Sequence, residues 1–347
     1  MTPTYRDRRA AVLENDALRL TVLEEGGHIA EIFHKETGVN PLWTPNWPSI
    51  EPSTYSPEKH PEYGNGPDAV LLAGIMGHNV CLDIFGAPSP EELAAAIPVH
   101  GEASVARYEI RTVEGHLVAL TRLPRAQLLF ERRIELQGLA VKINEAVENL
   151  SACDRPIAWT QHVTLSPPFL QRGLTEFRTS ATRSKVFEGV FGGAAYLTAG
   201  AEFEWPRAPK SAGGFADLRV FTDSRISSAF TTHLMDPGRE HAFFVAFSPS
   251  FHLAFGYVWT QADFPWMGIW EENHSRANPP WNGRCLARGM ELGVSPFPES
   301  RREMIERGQL FGVPAYRWLA AKSRVEVEYW AVMGESETVP ESLAWPD

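Results

Sequence analysis

Apolar and polar side chains alternate with a period of two in segment after segment of this chain. Leu18-Arg19-Leu20-Thr21-Val22, Ala106-Arg107-Tyr108-Glu109-Ile110-Arg111, Val141-Lys142-Ile143-Asn144 and Val325-Glu326-Val327-Glu328-Tyr329 all read this way. Successive side chains of an extended strand point to opposite faces of a sheet, so these segments predict half-buried antiparallel strands. Phe243-Phe244-Val245-Ala246-Phe247 and Leu253-Ala254-Phe255-Gly256-Tyr257-Val258-Trp259 are apolar on both faces and predict central strands. Frequent punctuation by 27 Gly and 27 Pro keeps the elements short.

Helical signals are sparse. Ser89-Pro90-Glu91-Glu92 is a capping box with Pro at the first helical position, and Pro98 ends what it starts. Ser300-Arg301-Arg302-Glu303 is a second box, with Gly308 as its stop. Helices so few do not alternate with strands, which disfavours a doubly wound α/β fold. The expected fold class is all-β, a large antiparallel sandwich with a few short helices. No linker or internal repeat is visible, so residues 1–347 read as a single domain. Residues 41–68 hold seven prolines with Trp43, Trp47, Tyr55 and Tyr63. A stretch this long is either an ordered cover over a sheet edge or a lid that contributes to a pocket.

Several function classes are disfavoured. A formal net charge of -11 speaks against a nucleic-acid or anionic-membrane partner, because phosphates demand basic patches. Cys81, Cys153 and Cys285 are odd in number and far apart, which argues against a disulfide framework or a structural zinc. The first nine residues hold no apolar run, and no window approaches the roughly 18 apolar residues of a membrane span. A soluble, cytoplasmic protein is the expectation. Nucleotide-binding and nucleophile-elbow patterns are absent. His100-Gly101-Glu102 has the H-x-E spacing of zinc deaminases without the cysteine pair that must follow.

Four stretches carry groups suited to chemistry: Gly77 to Glu102, Glu148 to Leu165, Pro265 to Asn273 and Arg288 to Pro298. Taken in order they resemble the aldose 1-epimerase, or galactose mutarotase-like, superfamily. Glu24-Glu25-Gly26-Gly27-His28-Ile29-Ala30-Glu31-Ile32 is similar to its first hairpin, and Asn40-Pro41-Leu42-Trp43 to the apolar-aromatic segment that follows. The run from Val80 through Phe85-Gly86 to His100-Gly101 resembles the hexose-phosphate branch. Asn149 to His162, and the strand carrying Met290-Glu291, resemble the later blocks. The usual His-Pro-Tyr-Phe is replaced by His162-Val163-Thr164-Leu165, and the Arg that commonly precedes the first block gives way to His78-Asn79.

The resemblance implies interconversion of sugar anomers without metal or cofactor, with Glu291 as base, His162 as acid and His100 hydrogen-bonded to the substrate. Opening a cyclic hemiacetal takes a proton from the anomeric hydroxyl and gives one to the ring oxygen. A carboxylate and a histidine suit both tasks, and are expected on opposite sides of the sugar. His78 and Asn79 are candidate substrate contacts. Trp270 and Glu272 alternate along a strand and should share a face, stacking on a sugar and accepting its hydroxyls. Trp281 and Asn282 follow Pro279-Pro280 and could border the same site. The expected partner is a small carbohydrate, with the oligomeric state open. The same fold also admits a carbohydrate-binding protein without turnover, a hexose-phosphate epimerase drawing on Arg284 and Arg288, or other sugar chemistry.

Overall fold

The computed structural model describes residues 3–189 and 191–346, so Met1 and Thr2 of the N-terminal stretch lie outside the description. The alternating segments pair into a 12-stranded and an 8-stranded sheet, with every strand pair antiparallel. Leu18–Leu23 and Ile29–His34 form the first hairpin. The larger sheet then runs through His78–Asp83, Arg155–Leu165, Leu286–Gly293, Trp266–Asn273 and Ser227–Met235. The smaller sheet places His241–Ser248 and Leu253–Thr260 beside Arg324–Glu335 and Ala140–Asn149. The two strands expected at the centre are interior ones, second and third from one edge of this sheet, and are buried nearly end to end.

One apolar core, from Leu18 to Met333, fills the space between the sheets. Polar groups interrupt it. Arg132 and Glu145, both buried, lie 2.7 Å apart, and Glu145 also accepts hydrogen bonds from Trp159, Gln161 and Tyr329. A buried ion pair persists only where its desolvation is offset by such bonds.

Both capping boxes form, before helices Pro90–Ala94 and Arg301–Arg307. Among the described residues no helix is long and apolar enough to cross a membrane. The strand expected over Ala106–Arg111 begins at Glu109. Its first residues bond instead to the turn of the first hairpin, through Gly26 N–H to Ala106 O and Tyr108 N–H to Glu24 O. Residues 41–68 are ordered: Trp43 and Tyr63 are buried, and Trp43 N–H bonds the Thr164 carbonyl of the larger sheet.

Candidate active site

The outer face of the larger sheet carries a cavity of about 480 Å³, a size suited to a small molecule. Strand register explains which side chains reach its floor. His162 lies directly opposite Glu291 on one neighbour and Asn79 on the other, and residues so paired share a face. His162 Nε2 stands 3.2 Å from Glu291 Oε1. The contact lacks hydrogen-bond alignment, and Glu291 Oε1 is buried without a partner. Gly268 and Gly289, opposite and beside Glu291, leave the carboxyl room.

His100 arrives from the loop after the first capped helix. Its φ of 66° and the 78° of Gly101 set a sharp turn, and a side chain at Gly101 would overlap the Leu82 carbonyl. The His100 ring sits 5.1 Å from that of His162, centre to centre. Its Nδ1–H donates to the Phe85 carbonyl at 2.6 Å, which leaves Nε2 as a free acceptor at the cavity wall.

Burial sets the protonation. Loss of hydration pushes the Glu291 carboxyl well above its ordinary range. Burial, then the neighbouring His100, pushes His162 well below. His100 is pushed down to about 4 by burial, against its carbonyl hydrogen bond. The shifts at Glu291 and His162 both favour the uncharged form of each group. His162 Nδ1 meets Thr164 Oγ1 at 3.0 Å, which orients the ring.

The walls are aromatic. Trp43 and Trp281 stack with planes 6° apart, and Trp270 meets both edge-on. Phe85, Phe187 and Phe191 surround Phe230 across the cavity. Arg276 and Asp68 are the other charged side chains at the wall.

The structure thus brings Glu291, His162, His100 and Trp270 together, with Trp281 at the rim. Asn79 shares their face but lies beneath the wall, both side-chain polar atoms buried and unpartnered. His78 corrects the sequence expectation. Next to Asn79 on one strand, it points the opposite way, into the core, bonded to Tyr257 and Gln161. Glu272 is a second correction: its oxygens accept from Ser275 N–H and hydroxyl and from Arg276 N–H, closing the turn after Trp266–Asn273. His162 and Glu291, expected on opposite sides of a sugar, lie side by side on adjacent strands. Arg288 is buried on the inner face, bonded to the Leu218 carbonyl, and exposed Arg284 is not on the wall. Sequence reasoning missed Arg276, an isolated charge in a loop, and the phenylalanines at 187 and 230, which come from distant segments. Trp43 places part of the proline-rich stretch in the pocket wall.

No family model and no curated protein matches the sequence. Solved structures do. The Slr1438 protein from Synechocystis sp. PCC 6803 superposes with a TM-score of 0.62 at 13% identity, covering 97% of this chain and 98% of that one. A galactose mutarotase related enzyme from Lactobacillus acidophilus gives 0.59 at 11%, covering 95% and 99%. A galactose mutarotase-like protein from Clostridium acetobutylicum gives 0.60 at 11%, covering 96% and 98%. The fold is galactose mutarotase-like. At these identities the likeness speaks to the fold, and the site must be argued from its own residues.

Proposed function

We propose that this protein is an aldose 1-epimerase-like mutarotase, one domain that interconverts sugar anomers by general acid–base catalysis. The observation that carries the reading is the buried Glu291–His162 pair at the floor of an aromatic cavity, where burial favours the uncharged form of each group. The anomeric hydroxyl and the ring oxygen are bonded to the same carbon. A donor and an acceptor placed side by side, 3.2 Å apart, suit two oxygens that close together. With the proton resting on Glu291, the carboxyl donates to the ring oxygen while His162 Nε2 takes the hydroxyl proton. These roles reverse those implied by the family resemblance. After rotation about the bond to the aldehyde, the same groups run the step backwards and close the ring on the other face. Each transfer contributes roughly a hundred- to ten-thousandfold. His100 Nε2 accepts a sugar hydroxyl and Trp270 stacks on the apolar face of the ring. Asn79, beneath the wall, supports the floor.

The test is polarimetric. Freshly dissolved α-D-glucose and α-D-galactose are followed with the wild type, Glu291→Gln and His162→Asn. Acceleration that both variants lose while staying folded supports the reading. Acceleration that survives either variant, or none in the wild type with these aldoses or with the corresponding uronates, rejects it. The hexose-phosphate alternative gains nothing from Arg284 and Arg288, which stand off the cavity.

A further inference from the structure

We infer that the ligand of this cavity carries a carboxylate, held by Arg276, so that the substrate is a sugar acid and not a neutral aldose. The inference rests on the sugar-site reading above and specifies it.

Arg276 is built into its position. The buried Glu272 carboxylate accepts the Arg276 backbone N–H at 3.1 Å and stands 3.5 Å from its Nε. The guanidinium carbon lies 4.6 Å from the centre of Trp281, 5.4 Å from Phe191 and 5.6 Å from Trp270. Three rings and a carboxylate thus fix the group. Its two terminal nitrogens have no hydrogen-bond partner among the described residues, and the side chain lines the cavity. A planar fork of free N–H donors against apolar walls matches an oxyanion in shape and charge.

The position suits one end of a sugar. The Trp270 ring centre is 5.9 Å from His162 and 5.6 Å from Arg276, so one indole separates the proton-transfer pair from the cation. A pyranose stacked on Trp270 can reach both. The charge count selects a carboxylate over a phosphate. Among the described residues Arg276 is the single Arg or Lys of the wall, and its charge is already partly matched by Glu272 3.5 Å away. Burial disfavours the charged forms of His100 and His162, and Asp68 adds a negative charge. A monoanion is matched by one guanidinium, whereas a dianionic phosphate asks for more.

The test is calorimetric titration of the full chain with D-glucuronate and D-galacturonate, their parent aldoses and D-glucose 6-phosphate, alongside polarimetry of each. Charge-assisted hydrogen bonds predict uronates binding on the order of ten- to a hundredfold tighter than the parents. Arg276→Gln should bring that ratio close to one, and Arg276→Lys should retain part of it. If Arg276 only props Trp281, Arg276→Gln weakens both sugar classes alike and the ratio survives, which overturns the inference. Tighter binding of the 6-phosphate than of the uronates also overturns it. Neutral aldoses accelerated with no uronate preference sink this inference and leave the mutarotase reading intact. A uronate preference without acceleration does the reverse. No binding of any sugar sinks both.

Discussion

A methyl group at Gly289 should disable the site without touching its chemistry. Gly289 faces the same side of the sheet as Glu291, two residues away, and pairs with Trp270 and Thr164 on its neighbours. A Cβ built there overlaps Glu291 Oε1, lies 3.1 Å from its Cδ and 3.2 Å from Trp270 Cβ. Ordinary carbon contacts are about 3.5–4.0 Å, so the carboxyl must move by up to about 1 Å, or swing away from His162. The backbone at Gly289 is not left-handed, so alanine fits the strand and the collision falls on the end of one side chain. Overpacking of this kind costs about 1–3 kcal/mol, partly offset by the lower entropy of the unfolded alanine chain. A misplacement of about 1 Å is worth on the order of a hundredfold in rate. Gly289→Ala should therefore melt as a folded protein and lose about two orders of magnitude in kcat/KM for mutarotation, read by polarimetry. Gly268→Ala is the contrast. Its Cβ strikes Phe230 but meets Glu291 Cβ at an ordinary 3.5 Å, so it should raise KM more than it lowers kcat. A folded Gly289→Ala with wild-type kcat/KM, where Glu291→Gln is inactive, would refute the claim that the carboxyl acts from the position described.

The pH–rate profile should show no acid limb near 6.5. His162 is depressed, so it stays an acceptor as pH falls, and Glu291 is raised, so the profile is bounded instead by loss of its proton on the alkaline side. Half-loss of kcat at pH 6.5 would contradict the neutral pair. Stability should fall with acid for a separate reason: buried His28 and His233 are held down to about 3, so below their ordinary 6.5 the unfolded chain binds protons that the folded one refuses. By pH 5 each costs about 2 kcal/mol, and a melting temperature constant from pH 7.5 to 5 would exclude it. Glu145→Gln should lower stability by about 3–5 kcal/mol in urea titration, because Arg132 keeps its charge in the core with no counter-ion. An unchanged midpoint would mean that the charge is compensated elsewhere.

Much of the sandwich is legible in the sequence, because burial of one sheet face writes a period of two directly into the residue types. The capped helices are legible for the same local reason. The site is legible where a strand alone decides it. Trp270 and Glu272 do share a face, but position along the strand matters too: Glu272, next to the strand's last residue, closes a turn and leaves the cavity to Trp270. His78 and Asn79 cannot both face one side of a sheet, so pairing them as contacts conflicts with the alternation that identified the strand. Arg276 is illegible because its role arises from three rings drawn from different parts of the chain. Nothing local distinguishes it from a solvated charge.

The polar seam in the core and the site on the surface are two faces of the same strands. Along Arg155–Leu165, Gln161 turns inward to Glu145 and Arg132 while His162 turns outward to Glu291. Along His78–Asp83, His78 turns inward to Gln161 while Asn79 turns outward. A one-residue slip of either strand would exchange the faces, driving apolar neighbours out and taking Gln161 from Glu145 and Arg132, or His78 from Gln161. An all-apolar core would tolerate such a slip more readily, since leucine and valine make no directional demands. The buried ion pair is therefore better understood as a device that pins register than as a source of stability. Through Gln161 the pair favours the face of Arg155–Leu165 that turns inward, and with it the face that presents His162 to Glu291.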